Sequence, residues 1–238
     1  MKIGIIVALS VEHEQLAKLL ENKTEREEFP FKYVEGSMGG NEIILTQCGI
    51  GKVNAAMGTV ELIRRYHPDC IINTGVAGSI DSCIRVMDVV VGERVIYHDV
   101  NCGPGNGFGQ VQGCPNYFEA APALWSAAFR PHYMEEGTMW LGTITSGDQF
   151  IEDPGQVEYI KSHVREGMAV DMESGAIAQV CYIYKVPFVS IRIISDAPGD
   201  DKLRFQQYTD FWGELAHRSF RVTRKILEEF PTELYPHA

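Results

Sequence analysis

Short apolar segments of strand length alternate along this chain with longer amphipathic segments of helix length. The strand-like segments are residues 2–8, 41–47, 70–73, 86–97, 141–145 and 186–195, and the helix-like segments are residues 11–21, 52–66, 173–185 and 206–229. This alternation predicts an α/β domain in which helices cover a largely parallel or mixed sheet. No shift in composition divides the 238 residues, so we expect one domain over residues 1–238.

The charge balance argues against two classes of partner. The chain has 21 lysines and arginines against 32 aspartates and glutamates, so nucleic acid and anionic membranes would be repelled. It has no apolar stretch of about 18 residues, so we expect no membrane span. The 6 cysteines lie far apart and no export signal is evident, which predicts free thiols and a cytoplasmic protein.

Unusual side chains stand at the carboxyl ends of the predicted strands, where ligands of open α/β sheets bind. They are Glu12, the turns 49–52 and 75–78, the segment 146–151, and Ser195 with Asp196. One shared pocket is the most economical hypothesis. Arg192 lies inside an apolar strand, and we favour a buried anionic partner for it over an edge position from which it reaches water.

Each of these features also has an ordinary structural interpretation. The turn at residues 49–54 lacks the third glycine of a dinucleotide fingerprint, so it could simply connect a strand to a helix. Acidic residues at helix starts and strand ends are often caps, dipole partners or turn formers. The residues open to that interpretation are Glu12, Glu14, Asp171, Glu173 and Asp196. No cysteine or histidine spacing indicates a metal site, and we predict none.

Several short motifs nevertheless occur in a specific order. They are Gly49-Ile50-Gly51-Lys52-Val53, Asn73-Thr74-Gly75-Val76-Ala77-Gly78, Tyr97-His98-Asp99, Gly113-Cys114-Pro115, Ser146-Gly147-Asp148-Gln149-Phe150-Ile151, Asp171-Met172-Glu173 and Arg192-Ile193-Ile194-Ser195-Asp196. Together they resemble the 5′-methylthioadenosine/S-adenosylhomocysteine nucleosidase family, within the nucleoside phosphorylase superfamily, from the first residue to the last predicted helix. The resemblance implies a three-layer phosphorylase/hydrolase-like α/β fold, with a central mixed sheet flanked by helices.

The resemblance also implies a reaction, in which water cleaves the N-glycosidic bond of a 5′-substituted adenine nucleoside without a cofactor. Asp196 matches the general acid that protonates or hydrogen-bonds adenine N7, and Glu12 matches the residue that orients and deprotonates the water. Arg192 matches a partner of the water site. Glu173 matches the carboxylate that binds the ribose hydroxyls and favours positive charge on the sugar. Asp171 and Glu14 are expected to be structural.

The same resemblance assigns substrate contacts. Met172 packs on the ribose, Phe150 stacks on adenine, and Ile151 supplies backbone hydrogen bonds to the base. Ser195 holds the loop of the acid, and Tyr208 belongs to a lid over the 5′ substituent. The remaining candidates for substrate binding are Leu9, Ile50, Val76, Ala77, Gly78 and Phe108.

The chain departs from the family pattern at three places. Val76 stands where many members have a serine whose hydroxyl lies near the water. Leu9 and Ser10 replace a commoner methionine and acidic residue. In the loop 102–108, only Phe108 could serve as the aromatic side chain with which a neighbouring subunit covers the 5′ tail; the family is usually a homodimer.

Three other functions stay open from the sequence. A phosphorylase would cleave the same bond with phosphate, although residues 71–74 contain none of the arginines that such enzymes place there. A non-catalytic nucleoside-binding relative is the second alternative. An enzyme for an aminodeoxyfutalosine-type nucleoside is the third, because that substrate shares the features that such a pocket would recognise.

Overall fold

A computed structural model describes residues 1–197, 204–212 and 216–234, except for the side chains of 216–219. The strands are β1 (Lys2–Val7), β2 (Glu21–Glu28), β3 (Phe31–Met38), β4 (Asn41–Gln47), β5 (Cys70–Ser79), β6 (Val89–Tyr97), β7 (Phe118–Glu119), β8 (Met139–Ser146), β9 (Gly167–Asp171) and β10 (Phe188–Asp196). The α-helices are α1 (Ser10–Leu19), α2 (Lys52–Tyr66), α3 (Pro122–Ala128), α4 (Pro154–His163), α5 (Ser174–Tyr184), α6 (Arg204–Asp210) and α7 (Ala216–Glu228). A short 3-10 helix covers Pro131–Tyr133.

The strands form one mixed sheet, in the order β10-β6-β8-β9-β5-β1-β4-β3-β2. Because β10 also pairs with β5, the strands β5, β9, β8, β6 and β10 close into a ring. β1 runs parallel to both β4 and β5, and β10 runs parallel to β5. The carboxyl ends of these strands therefore meet on one side, which is where the sequence predicts a pocket.

The central strands are apolar and buried on both faces, as strands covered by helices must be. β10 is buried along its whole length, and Ile71, Ile72 and Val189 are fully buried. Helix α2 packs on α5 and on β1 and β4, while α1 packs on β4 and α7. The prediction of a mixed sheet flanked by helices is confirmed.

The differences from the predicted elements have physical causes. The hairpin β2–β3 is missing from the prediction, because β2 is an exposed, charged edge strand without the apolar alternation that identifies strands. The strand predicted over 70–73 continues to Ser79, since β10 and β9 pair with its glycine-rich end. The helix predicted over 206–229 falls on two described helical segments, α6, which begins at Arg204 and ends at Asp210, and α7, which begins at Ala216 and ends at Glu228. Residues 211 and 212 continue α6 as π-helix, and one continuous helix stays a prediction. The intervening residues 213–215 lie outside the described residues.

Two further observations concern the predicted environment of the chain. All 6 cysteines are free thiols, as the sequence predicts. Within the described ranges, none of the helices combines the length and the apolar character needed to span a bilayer.

Candidate active site

One cavity of about 380 Å³ lies at the carboxyl ends of β1, β5, β9 and β10, bordered by the loops after β4 and β8 and by α6. Its lining consists of Ala8, Leu9, Glu12, Ile50, Val76, Ala77, Gly78, Gln149, Phe150, Ile151, Val170, Asp171, Met172, Glu173, Arg192, Ser195, Asp196, Phe205 and Tyr208. Every residue predicted for the site is among them except Phe108. The topology thus brings together side chains from segments far apart in sequence.

Glu12 lies in the first turn of α1, directly after β1, and is 1% exposed. Its Oε2 accepts hydrogen bonds from the backbone N–H groups of Ala8 (3.1 Å) and Leu9 (2.9 Å), and its Oε1 accepts one from Val76 (3.1 Å). Burial raises the pKa of the Glu12 carboxyl above its ordinary value, although these N–H groups and Arg192 oppose the shift. Glu12 is therefore both a helix cap and a buried carboxyl able to exchange a proton.

Arg192, on β10, is 1% exposed and has the anionic partner that the sequence predicts. Its Nη2 lies 2.7 Å from Asp171 Oδ2 and 3.9 Å from Glu173 Oε2. Nη2 also donates to Asn73 Oδ1 and, at 3.0 Å, to Ser174 Oγ. The guanidinium is thus engaged on several sides, and Asp171 serves as its counter-ion.

Glu173 lies immediately before α5 and faces the turn that precedes α2. Its Oε1 accepts a hydrogen bond of 2.9 Å from the Gly51 backbone N–H, at the positive end of the α2 dipole. Burial raises the pKa of Glu173 to about 7, while Arg192 opposes the shift and Asp171 adds to it. The site therefore holds two buried carboxyl groups, Glu12 and Glu173, whose pKa values burial moves upward.

Two positions near these carboxyl groups have room only for glycine. A Cβ at Gly75 would lie 2.5 Å from Glu12 Oε1 and 2.8 Å from Arg192 Nη1. Gly51 has a φ of +92°, and a Cβ there would lie 2.9 Å from Asp148 Oδ1. The glycine turns recognised in the sequence thus line the site, and side chains from other segments fill the space that their missing Cβ atoms leave.

Asp196 is the last residue of β10, lines the same cavity and is buried. Its Oδ1 accepts a hydrogen bond of 2.8 Å from Ser195 Oγ, which is also 3.3 Å from the Ala77 carbonyl oxygen. Its Oδ2 accepts one of 2.8 Å from Arg204 Nε. Ser195 therefore contacts the predicted acid directly, while Arg204 is a partner that the sequence did not indicate.

Three aromatic rings form a cluster at the mouth of the cavity. The Phe150 ring lies 5.7 Å from the Tyr208 ring and 6.0 Å from the Phe205 ring, both nearly edge-on. Phe150 is 41% exposed and Phe205 57% exposed, so both present ring faces that a planar ligand could cover. The cavity is accordingly polar at its buried end and aromatic at its opening.

The sequence does not predict Arg204, which contacts Asp196 without lining the cavity, nor the lining residues Ala8, Gln149, Val170 and Phe205. Arg204 is eight residues from Asp196, and the intervening segment has no periodic pattern that would bring the two together. Phe205 precedes the predicted start of the last helix at residue 206, and the resemblance assigns only Tyr208 to a lid. Gln149 lies within the recognised motif 146–151, which was the available signal for it.

Phe108 lies outside the cavity of its own chain. Its ring stacks on His163 at 4.3 Å between centroids and contacts Tyr159 edge-on at 6.0 Å. It lines a second groove, between the loop 98–108 and α4. Within one chain it therefore contributes nothing to the pocket; its predicted role concerns a neighbouring subunit.

Known proteins share this architecture over almost the whole chain. The family model described as "Phosphorylase superfamily" matches residues 2–228. The 5′-methylthioadenosine/S-adenosylhomocysteine nucleosidase of Bacillus thuringiensis (strain Al Hakam) is 39% identical over 232 residues, which cover 96% of this chain and 99% of that protein.

Solved structures give the same result. The enzyme of that name from S. pneumoniae, with the transition-state inhibitor MT-ImmA, has a TM-score of 0.89 and 33% identity, covering 97% of this chain and 100% of the other. The Colwellia psychrerythraea 34H nucleosidase, in complex with adenine, has a TM-score of 0.89 and 32% identity, covering 97% and 96%. The chain belongs to the 5′-methylthioadenosine/S-adenosylhomocysteine nucleosidase family of the phosphorylase superfamily.

Proposed function

We propose that this protein hydrolyses the N-glycosidic bond of 5′-substituted adenine nucleosides, releasing adenine and a free sugar. The candidate substrates are 5′-methylthioadenosine, S-adenosylhomocysteine and 5′-deoxyadenosine. The observation that carries the proposal is the convergence of Glu12, Glu173 and Asp196, three buried carboxyl groups, on one cavity with an aromatic opening. Relatives with the same fold bind adenine and a transition-state inhibitor.

These carboxyl groups match the needs of a reaction that passes through a positive sugar. Asp196 gives a proton to adenine N7 while the C1′–N9 bond breaks and its electron pair moves into the purine. Glu173 binds the ribose hydroxyls and favours the positive charge that develops on the sugar. Glu12 takes a proton from the water whose oxygen bonds to C1′. The products are neutral adenine and the free sugar.

The rest of the cavity fits the parts of such a nucleoside. Phe150 presents a ring face on which adenine can stack, and the backbone of Ile151 can form hydrogen bonds with the base. Ala77 and Gly78 also line the cavity, and their small size leaves room for the base. Met172 lies beside Glu173, where the ribose would bind. We propose that the apolar side chains at the opening contact the 5′ substituent, and these are Leu9, Ile50, Phe205 and Tyr208.

Phosphorolysis is the nearest alternative, and the charges in the cavity argue against it. A phosphate dianion needs cations or several N–H donors with free valences. Arg192 is the one cationic residue among the described lining residues, and Asp171, Asn73 and Ser174 already engage its guanidinium. Water is small and neutral and makes no such demand. We therefore propose hydrolysis.

The test is adenine release from 5′-methylthioadenosine, S-adenosylhomocysteine and an aminodeoxyfutalosine-type nucleoside, each with and without phosphate, with identification of the sugar. We expect phosphate-independent release and a free sugar. Glu12→Gln should lower turnover by at least about 100-fold, while inhibitor binding stays measurable. Glu14→Gln, an exposed change on the same helix, is the matched control.

Each other result has a clear meaning. A sugar 1-phosphate formed only with phosphate would make the protein a phosphorylase. Tight binding of adenosine analogues without adenine release would make it a binding module. Equal turnover of the Glu12→Gln and Glu14→Gln variants would remove Glu12 from the reaction. Release from only the third nucleoside would change the 5′ specificity and leave the chemistry intact.

We also propose a homodimer, in keeping with a cytoplasmic enzyme. An apolar groove between α2 and α5 contains Val53, which is 70% exposed, and Ile183, which is 59% exposed. The groove adjoins the cavity, because Ile50 lines the cavity, is half exposed and lies just before the start of α2. In this arrangement Phe108 of the partner subunit covers the 5′ tail. Sedimentation should give a dimer that Val53→Glu dissociates; a monomeric wild-type chain would refute this proposal.

A further inference from the structure

A second arginine, outside the predicted site, pairs with the proposed acid. Arg204 is the first residue of α6 and is 7% exposed. Its Nε donates to Asp196 Oδ2 at 2.8 Å, and its Nη2 donates to the Ser79 carbonyl oxygen at 2.6 Å. The ion pair is therefore buried, and the second hydrogen bond fixes the direction of the guanidinium fork.

The carboxyl group of Asp196 is held from both sides. Ser195 Oγ donates to Oδ1 at 2.8 Å, and Arg204 donates to Oδ2. A Cβ at Gly78 would lie 2.7 Å from Asp196 Oδ2 and closer still to Arg204 Nη2, so the pair occupies the space above this glycine. Two donors and a close backbone leave the carboxyl plane little freedom to rotate.

We infer that Arg204 is a positioning residue for Asp196: it fixes the orientation of the carboxyl group and stabilises the negative charge that Asp196 acquires when its proton passes to N7. The inference rests on the proposed function. As the C1′–N9 bond breaks, its electron pair enters the purine, the proton moves from Asp196 to N7, and the new carboxylate charge faces Arg204 Nε. An interaction that strengthens as charge develops lowers the barrier.

The charged groups around Asp196 act in opposite directions on a negative charge at its carboxyl group. Glu12 and Glu173 line the same cavity and, when ionised, oppose a further negative charge, whereas Arg192 and Arg204 favour it. Tyr208, from α6, also faces this group. A guanidinium in direct contact stabilises the carboxylate that Asp196 becomes once its proton has passed to N7.

A purely structural role for Arg204 can be tested because α6 has a second tether. Gln207 Oε1 accepts a hydrogen bond of 2.9 Å from the Ala197 backbone N–H, and Gln207 Nε2 donates to the Ala197 carbonyl oxygen at 3.2 Å. Both tethers join α6 to the end of β10, but only Arg204 contacts the acid. Loosening α6 should disturb Phe205 and Tyr208, and hence binding of the 5′ substituent, in either variant.

The experiment compares Arg204→Met with Gln207→Leu in the full-length protein, through kcat and KM of adenine release. We expect Arg204→Met to lower kcat by about 10- to 100-fold. KM should rise in both variants, because both loosen α6. Gln207→Leu should leave kcat near the wild-type value, because the side-chain amide of Gln207 binds the backbone of Ala197. Arg204→Lys keeps the positive charge but loses the planar, forked guanidinium group. Its kcat should therefore lie between those of wild type and Arg204→Met.

The remaining outcomes overturn the inference in distinguishable ways. If Arg204→Met and Gln207→Leu raise KM alike and neither lowers kcat, Arg204 only anchors α6. If the wild-type protein releases no adenine from any nucleoside, the proposed function fails and the inference fails with it. Should Arg204→Met not fold, Arg204→Gln and Arg204→Lys carry the same comparison, and a kcat like that of wild type in both would exclude the role.

Discussion

The two buried arginines beside the cavity are held in different ways. Arg192 lies in the middle of β10, and its partners come from β5, the end of β9 and the start of α5. Arg204 lies on α6 and contacts one carboxylate and one carbonyl oxygen. The end of the cavity near Arg192 is thus built from the sheet core, whereas the end near Asp196 depends on a peripheral helix.

This difference separates two kinds of work. A guanidinium enclosed by the core can fix the water and ribose end of the site before any ligand arrives, because no element there needs to move. A helix fastened by a few side chains can admit a base and a 5′ substituent of variable size. Loss of an ionic partner of Arg192 should therefore destabilise the fold, whereas loss of Arg204 should affect the chemistry and the fit of the ligand.

The largest effect is expected at the acid itself. Asp196→Asn keeps the shape of the side chain but removes the transferable proton, so kcat for adenine release should fall by about 100- to 10,000-fold. The loss should exceed that of Arg204→Met, since Arg204 acts only through Asp196. Turnover within threefold of wild type would exclude Asp196 as the general acid and would remove the basis of the comparison.

A large loss of stability is expected at the other end. Asp171→Asn takes the nearest carboxylate from Arg192, which would leave a buried cation with Glu173 3.9 Å away as its remaining close anion. Breaking one partner of a buried ion pair costs about 3–5 kcal/mol, and we expect the lower part of this range because Asn73 and Ser174 still accept from the guanidinium. Chemical denaturation measures it. A cost below about 1 kcal/mol would show that the hydrogen bonds alone hold Arg192.

The third prediction concerns the pH dependence of stability. The pKa of Glu173 is about 7 in the folded protein and has an ordinary value of 4.5. Between these values the folded state binds more protons than the unfolded state, so the Glu173 contribution to stability falls as the pH rises. Glu173→Gln removes that contribution. We expect the stability difference between pH 5 and pH 8 to shrink by about 2 kcal/mol.

Denaturation curves of both proteins at the two pH values provide the test. Glu12, whose pKa is also raised, keeps its own contribution in the variant, so some pH dependence should remain. An unchanged difference between pH 5 and pH 8 in Glu173→Gln would mean that Glu173 is ionised throughout. Arg192 would then be balanced by two carboxylates rather than one.

The sequence was most informative where local pattern and structure coincide. The helix predicted over 52–66 has those bounds in the structure, because a glycine turn precedes it and an apolar face repeats along it. The ordered motifs also identified most of the cavity residues, because the motifs that follow β4, β8 and β9 and those at the ends of β5 and β10 border the cavity. The local pattern could not reveal β2, because a run of exposed, charged residues is equally typical of a loop.

Long-range pairings were the other part that the sequence could not supply. Nothing near Asp196 indicates that Arg204 folds back onto it, and nothing near Arg192 chooses among Asp171, Glu173 and Glu12 as its counter-ion. Such choices follow from distances of a few ångströms set by the packing of strands. The resemblance to a family supplied roles for the residues that members share, and it was silent about Arg204.

The smallest effect is expected at Val76, at the end of the cavity near Arg192. Val76 offers only its backbone N–H to Glu12, at 3.1 Å, and its side chain can neither donate nor accept a hydrogen bond to the attacking water. Val76→Ser adds a hydroxyl on a partly exposed side chain, so stability should change little. One additional hydrogen bond is worth about 1 kcal/mol, which corresponds to a rise in kcat of about fivefold. If kcat instead stays constant while KM changes, the side chain at position 76 contacts the nucleoside rather than the water. The water would then be oriented by Glu12 without help from position 76.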